Sequence, residues 1–304
     1  MGTPEFAVPS LIALHEGGME VSLVITQPDR PSGRGLQKVA PPVKTAAEPF
    51  RYPVIQPDSI RKDAVMRLIR RLEPDFFVVV AFGKILPKDL LSIPRICPVN
   101  VHASLLPKYR GAAPVAWAIL NMEKETGVTT MHMDEGMDTG DILLSESVPI
   151  FPDDTTATLS DRLAHLGAGL LIRTLNRLVE GRVVPKPQDH SLATSAPMLR
   201  KKDGRIDWSL SAERLEAFIR GVTPWPGAFT FLNDRRLKIF SAEVVQTKSQ
   251  VLPGTVVQGF PDELRVSTGG GLLSILEVQA ESGKRMHIRE FLHGFSIPVG
   301  ARFE

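Results

Sequence analysis

The stretch DFFVVVAFG, Asp75 to Gly83, carries seven apolar residues in a row between a charge and a glycine. It is far short of the roughly 20 residues that cross a bilayer. A strand with one wet face alternates apolar and polar side chains, whereas a run without alternation needs cover on both faces. Parallel strands flanked by crossover helices supply that cover. The stretch therefore demands a layered α/β arrangement, and its neighbours keep the rhythm. VSLVIT (Val21 to Thr26) is a β-branched run, and CPVNVH (Cys97 to His102) is a further short strand. SIRKDAVMRLIRRL (Ser59 to Leu72) sets Ile60, Val65, Leu68, Ile69 and Leu72 on one helical face. GVTTMHMD (Gly127 to Asp134) alternates, as a half-buried strand does. Thr158 to Gly181 is a long amphipathic helix closed by a glycine. The expected architecture over residues 1–182 is an open, mostly parallel, Rossmann-like sheet.

The rhythm breaks near Val183. VVPKPQDHSLATSAPMLRKKDG, residues 183–204, is rich in Pro, Ser, Ala and Lys without a sustained period, and reads as a linker between domains. Residues 205–304 begin with a helix from about Ala212 to Arg220. Short strand candidates follow: GAFTFL, LKIFSAEVV, GTVVQ, ELRVST and LLSILEVQA. Glycine and proline punctuate them, a pattern that fits a small OB-like β-barrel. Cys97 is the single cysteine, which excludes an internal disulfide and any Cys-based metal cluster and suits the cytosol. No signal peptide opens the chain. A net charge of +2 permits a nucleic-acid partner without arguing for one.

In an open α/β sheet, ligands bind outside the carboxyl ends of the strands. Asn100 and His102 end CPVNVH two positions apart, so they share a face. After GVTTMHMD comes EGMDTGD, a turn with two glycines and the acids Glu135, Asp138 and Asp141 beside Asp134. An Asn, a His and an Asp at one sheet edge suit acyl transfer to an amine. Asn and imidazolium N–H groups stabilise a tetrahedral oxyanion, and a carboxylate-held His moves the protons. No G-x-S-x-G elbow is present, which favours direct transfer over an acyl-enzyme. A GxGxxG dinucleotide site is absent too, because Gly33-Arg34-Gly35 lacks both the third glycine and the strand-to-helix context. His15, His132, His165, His190, His287 and His293 have no comparable setting and are read as structural, with His132 the nearest decoy.

Four segments carry a resemblance to the folate-dependent formyltransferases: QPDRPSGRG (Gln27 to Gly35), VVVAFGKILP (Val78 to Pro87), NVHASLLPKYRGAAP (Asn100 to Pro114) and ETGVTTMHMDEGMDTGDIL (Glu125 to Leu143). RIDWSLSA and TPWPGAF add to it in the second domain. The match runs nearly the whole chain in the family's order and implies the formyltransferase fold. It implies that Asn100 and His102 hold the formyl oxygen and assist proton transfer, with Asp138 supporting the charged form of His102. Ser104, Leu105, Leu106 and Pro107 match the family's folate-binding turn, and Lys84, Ile85 and Leu86 match the segment lining the pterin pocket.

The loop Pro28 to Lys44, with Arg30, Arg34, Lys38 and Lys44, is similar to the family's tRNA-binding insertion. Long loops without structure in compact domains are usually functional. Leu199 to Arg205 (LRKKDGR) adds a second basic cluster. The last domain holds twelve Lys/Arg and twelve Asp/Glu from Asp203 to Glu304, so any RNA surface there is a local patch. The resemblance thus implies 10-formyltetrahydrofolate as co-substrate, no metal, and the α-amine of a charged initiator tRNA as acceptor. A cytoplasmic monomer without membrane association is expected. The alternatives are a formyltransferase for an amino sugar nucleotide, a formyltetrahydrofolate hydrolase, or a non-catalytic RNA-binding protein on the same scaffold. The basic loop separates the tRNA reading from the small-substrate ones.

MGTPEFAVPS places Thr3 as a helix N-cap, with Pro4 and Glu5 in the first turn. In the family an apolar strand of about five residues leads into this turn. Met1 is accordingly expected not to be the natural start, or the chain to have been trimmed. VSLVIT and DFFVVVAFG are then expected to flank a gap of two strand spacings, roughly 9–10 Å, at a cost in stability.

Overall fold

In the computed structural model of the protein, residues 1–32, 37–247, 250–258 and 262–304 are described. The chain divides into two compact units. The first comprises Met1–Pro114, Glu125–Pro149 and Ser160–Pro197, and the second Val115–Lys124, Ile150–Leu159 and Met198–Glu304.

The chain opens with a 3-10 turn, Glu5–Ala7, that runs into α1 (Val8–Glu16). Thr3 does not cap it. Its hydroxyl instead accepts from the Gln27 amide and donates to the Phe82 carbonyl, both at 3.4 Å, tying the chain start to two strand ends. Next come β1 (Val24–Ile25), the short ribbon β2 (Arg30–Ser32) and β3 (Gln37–Val39), α2 (Pro42–Ala47) and β4 (Val54–Ile55). After them come α3 (Asp63–Arg71), β5 (Phe76–Val80), α4 (Lys88–Leu91), β6 (Cys97–His102), α5 (Pro114–Leu120), β7 (Glu125–His132), β8 (Ile142–Pro149) and α6 (Thr156–Val179). The β-branched runs thus become strands, and the long periodic segment becomes the longest helix. Gly181 follows that helix with φ +66, the left-handed geometry a glycine stop supplies.

β1 pairs with β4 and β5 with β6, both in parallel, while β7 and β8 run antiparallel beyond β6. The sheet is Rossmann-like, with an antiparallel edge on its parallel part. Met1 and Gly2 lie between β1 and β5. The Gly2 amide donates to Ile25 O at 3.1 Å, and the Val80 amide donates to Met1 O at 2.9 Å. β1 and β5 form no ladder with each other. A cavity of about 390 Å³ continues between them, lined by Ser22–Ile25, Phe76–Val78 and apolar residues of α1, α3 and α6.

The sequence reading is corrected at three further places. β7 was expected to be half-buried, but Thr126 through Met131 are all buried. Its threonines tolerate burial because their hydroxyls find internal partners, Thr129 on Ser104 O at 2.7 Å and Thr130 on Thr174 at 2.8 Å. In α3 the core stripe runs through Val65, Met66 and Ile69, which leaves Leu68 on its flank 40% exposed. The stretch Pro28 to Lys44 is not one long structureless loop, since it contains the β2–β3 ribbon and the start of α2.

In the second unit, α7 (Ala212–Gly221) is capped by Ser211, whose hydroxyl accepts from the Arg214 amide. β9 (Ala228–Leu232), β10 (Arg235–Val245), β11 (Val256–Gln258), β12 (Leu264–Ser267), β13 (Leu272–Ala280) and β14 (Met286–His287) form a six-stranded antiparallel sheet. Its order is β11-β12-β13-β10-β9, with β14 on β13. Register shifts between Ile239 and Ala242 bend β10 where it pairs with β13, which curls the sheet. Trp208 is buried against Phe303, and its indole N–H donates to Thr230. Neither β14 nor α8 (Ile288–Gly294) is foreshadowed by the sequence pattern, because their short apolar runs lack a sustained period.

Candidate active site

β6 carries both polar residues that the period-two argument singled out. His102 is 6% exposed, and its Nε2–H donates to the Tyr109 carbonyl at 2.9 Å. That bond fixes the ring and leaves Nδ1 as the nitrogen facing outward from it. Asp138 Oδ1 lies 3.6 Å from Nδ1. The other carboxylate oxygen, Oδ2, accepts from the Gly111 amide at 2.8 Å. One ring nitrogen is thus hydrogen-bonded to Tyr109 O, and the other lies at ion-pair rather than hydrogen-bond distance from the carboxylate. The Asn100 side-chain oxygen is buried without a hydrogen-bond partner. Buried polar atoms are nearly always paired, and this orphan lies on the same strand face as His102.

Asp138 reaches His102 by an indirect route. β7 runs antiparallel to β6 and ends with His132 opposite Val99, three residues before His102. That is roughly 10 Å short of His102 along the strand. The segment after β7 must therefore double back along β6, which no strand-end argument anticipates. Asp134 braces the turn, accepting from the Gly136 amide at 3.0 Å and from the Thr139 hydroxyl at 2.7 and 2.8 Å. Asp138 itself sits at φ +55, a left-handed conformation uncommon for residues other than Gly, Asn and Asp.

The turn after β6 is built differently. Ser104 is fully buried and donates to Lys108 O at 2.6 Å. The Leu106 amide donates to Thr129 Oγ1 at 3.1 Å, and that hydroxyl donates in turn to Ser104 O. The Leu106–Pro107 peptide is cis. Leu105 packs against Gly127 of β7, where a Cβ would lie 2.6 Å from the leucine and 2.1 Å from Glu146 O. Of the segment after β5, Leu86 is buried in the core, Ile85 is 64% exposed, and Lys84 Nζ donates to Pro57 O and Asp58 O at 3.0 and 2.8 Å.

The basic segment has a tied base. Lys44, on α2, pairs with Asp29 at 3.0 Å, and Gln56 donates to the same carboxylate at 2.7 Å. The hydrogen bond from Gln56, then that from Lys44, holds the Asp29 carboxyl below its ordinary range. Arg30 hydrogen-bonds Gln27, and Lys38 is exposed on β3. Arg34 lies outside the described residues. Arg200, Lys201, Lys202 and Arg205 of the second cluster are exposed. Cys97 is buried, and burial pushes its thiol up to about 11.

Sequence reasoning missed the main-chain partners of the site, Tyr109 O and Gly111 N–H, and the whole segment Lys186–Pro197. Backbone bonds join Lys186 to Ile142, and Thr194 and Ala196 to Arg110. His190, read as structural, accepts at Nδ1 from Arg110 at 3.1 Å. The one available signal was Gly111 in RGAAP. It has φ +124, and a Cβ there would lie 2.7 Å from Ala196 O.

Residues 1–175 match the family described as Formyl transferase, and residues 198–296 match Formyl transferase, C-terminal domain. The chain is 52% identical over 301 residues to a methionyl-tRNA formyltransferase of Citrifermentans bemidjiense, covering 99% of this chain and 94% of that protein. It is 51% identical over 301 residues to a methionyl-tRNA formyltransferase of Geotalea uraniireducens, covering 99% and 96%. Among solved structures, WlaRD, a sugar 3N-formyl transferase studied with dTDP and 5-N-formyl-THF, matches with a TM-score of 0.67 at 18% identity. That match covers 93% of this chain and 97% of the other, and it speaks for the fold alone.

Proposed function

Since this chain belongs to the formyl transferase family, we propose that it moves a formyl group from 10-formyltetrahydrofolate to the α-amine of initiator methionyl-tRNA. The chemistry rests on the His102 setting: one ring nitrogen fixed on a carbonyl and the other 3.6 Å from a carboxylate. The choice of acceptor rests on relatives about as long as this chain and roughly half identical to it.

The amine attacks the formyl carbon, and a tetrahedral intermediate forms. Its oxyanion takes N–H groups from Asn100 and His102. The new C–N bond is made in that addition, and collapse of the intermediate then breaks the bond to the folate N10. The amine loses a proton and N10 gains one, with His102 Nδ1 as the exchanging group and Asp138 steadying its charged form. Ser104 to Pro107 and Lys84 to Leu86 receive the folate. Arg30, Arg34, Lys38 and Lys44 form the basic segment that meets tRNA phosphates, with Lys44 acting through its hold on Asp29. In this reading residues 1–182 are the catalytic domain, 183–204 the linker and 205–304 the tRNA-binding domain. The curled sheet of that last domain is a variant of an OB-like barrel. The protein works as a cytoplasmic monomer without a metal.

The test is a formylation assay in which charged initiator tRNA, charged elongator tRNA and amino sugar nucleotides compete as acceptors. Formylated initiator methionyl-tRNA is the expected product. Preference for a sugar nucleotide, or release of free formate alone, would replace this reading.

A further inference from the structure

The segment Lys186–Pro197 lies across the site, and one side chain in it stands apart. Gln188 is 6% exposed in a stretch whose other residues are mostly exposed. Its Nε2 donates to the Asp138 carbonyl at 2.9 Å and to the Gly140 carbonyl at 2.7 Å. Its Oε1 accepts from Arg110 Nε at 3.1 Å and Nη2 at 2.6 Å. The amide thus uses both donors on one loop and takes both acceptor bonds from one guanidinium. Arg110 adjoins Gly111, whose amide holds Asp138 Oδ2. Gln188 therefore clips the doubled-back loop at the residue that faces His102, and its other end is fixed to the chain that holds the same carboxylate.

We propose that Gln188 is a positioning residue for the transfer reaction, acting through Asp138 rather than through substrate. The inference rests on the reading of His102 and Asp138 as the proton-handling pair. Displacing a group by about 1 Å at a reacting centre costs up to roughly 10²-fold in rate, so a single bidentate amide is enough to matter. Glutamate at this position keeps the size and the Arg110 partner but turns two donors into acceptors facing two carbonyls.

The experiment is a double-mutant cycle of Gln188→Glu and Asp138→Asn, with kcat, the KM for 10-formyltetrahydrofolate and thermal midpoint measured for each protein. Gln188→Glu alone is expected to lower kcat roughly 10- to 100-fold, with the folate KM within about twofold of the parent. In the Asp138→Asn background the same change is expected to cost less than about threefold, because the group it positions is already gone. An unchanged kcat, or an equal loss in both backgrounds, overturns the proposal. Asp138→Asn alone with full turnover overturns the site reading itself, in an arm that never touches Gln188. If Gln188→Glu does not fold, Gln188→Met removes the donors without adding charge and is read by the same cycle.

Discussion

The Ser104–Pro107 turn and the Asp134–Asp141 loop flank the same strand, β6, but they are held from very different distances along the chain. The turn hangs on Thr129, directly opposite His102 in the next strand, so the ladder that makes the sheet also shapes the turn. The loop leaves the ladder, doubles back, and is clipped by Gln188, fifty residues further on. One region inherits its geometry from secondary structure. The other has a local brace at Asp134 but is fixed beside His102 by tertiary contacts, and so is the easier to displace without unfolding anything. Under the proposed function the first kind of support would serve binding of a co-substrate and the second adjustment of the Asp138 carboxylate.

His102→Ala probes the point where the two regions meet, and it should give the largest effect. Turnover is expected to fall roughly 10²-fold or more, as loss of a proton-transfer group does, with folate binding nearly intact. Parallel losses in kcat and folate affinity would show that the histidine shapes the turn as well, and the contrast would dissolve. Thr129→Val should come next. It strips the Leu106 amide and the Ser104 carbonyl of one shared buried partner, at a cost of about 1–3 kcal/mol in stability. A higher folate KM with kcat preserved at saturation is expected, and calorimetry with steady-state kinetics reads both. A fall in kcat at unchanged KM would mean that turn and loop are coupled.

Gln56→Leu should have the smallest effect, because it acts at the base of the basic segment, away from both regions. The Asp29 carboxyl is depressed chiefly by Gln56, so its contribution to stability is present above the ordinary carboxylate range and is lost as pH falls through its lower folded value. The substitution should raise that carboxyl back toward its ordinary range, leaving kcat and folate KM unchanged. A side-chain NMR titration of Asp29 that did not move would assign the depression to Lys44 instead.

The sequence made the strands legible because short β-branched runs have few other uses, and it aligned Asn100 with His102 because strand side chains alternate. EGMDTGD and the Asp134 before it offered four acids, and only the family resemblance singled out Asp138. The direction of β7 was not legible, since alternation is the same whichever way a strand runs. Nor was its full burial, because a threonine reads as polar until its hydroxyl has a partner. Leu68 was misassigned for a related reason: a helix stripe has a width that periodicity alone does not set. Gln188 left no trace. Its segment is held in good part by backbone bonds that almost any side chain permits, and its committed side chains, Gln188, His190 and Thr194, are ordinary polar residues in a stretch without a period.

The doubled-back loop has a consequence for the order of events during synthesis. A ribosome adds about 5–20 residues per second, so β6, its turn and the Asp138 loop emerge a few seconds before Gln188 does. In that interval the strand ladder β6–β7–β8 can already be in place with the Ser104–Pro107 turn complete. The carboxylate beside His102 is still without its clip. The nascent chain gains the turn after β6 first and the geometry around His102 and Asp138 last, once the segment through Pro197 has cleared the exit tunnel.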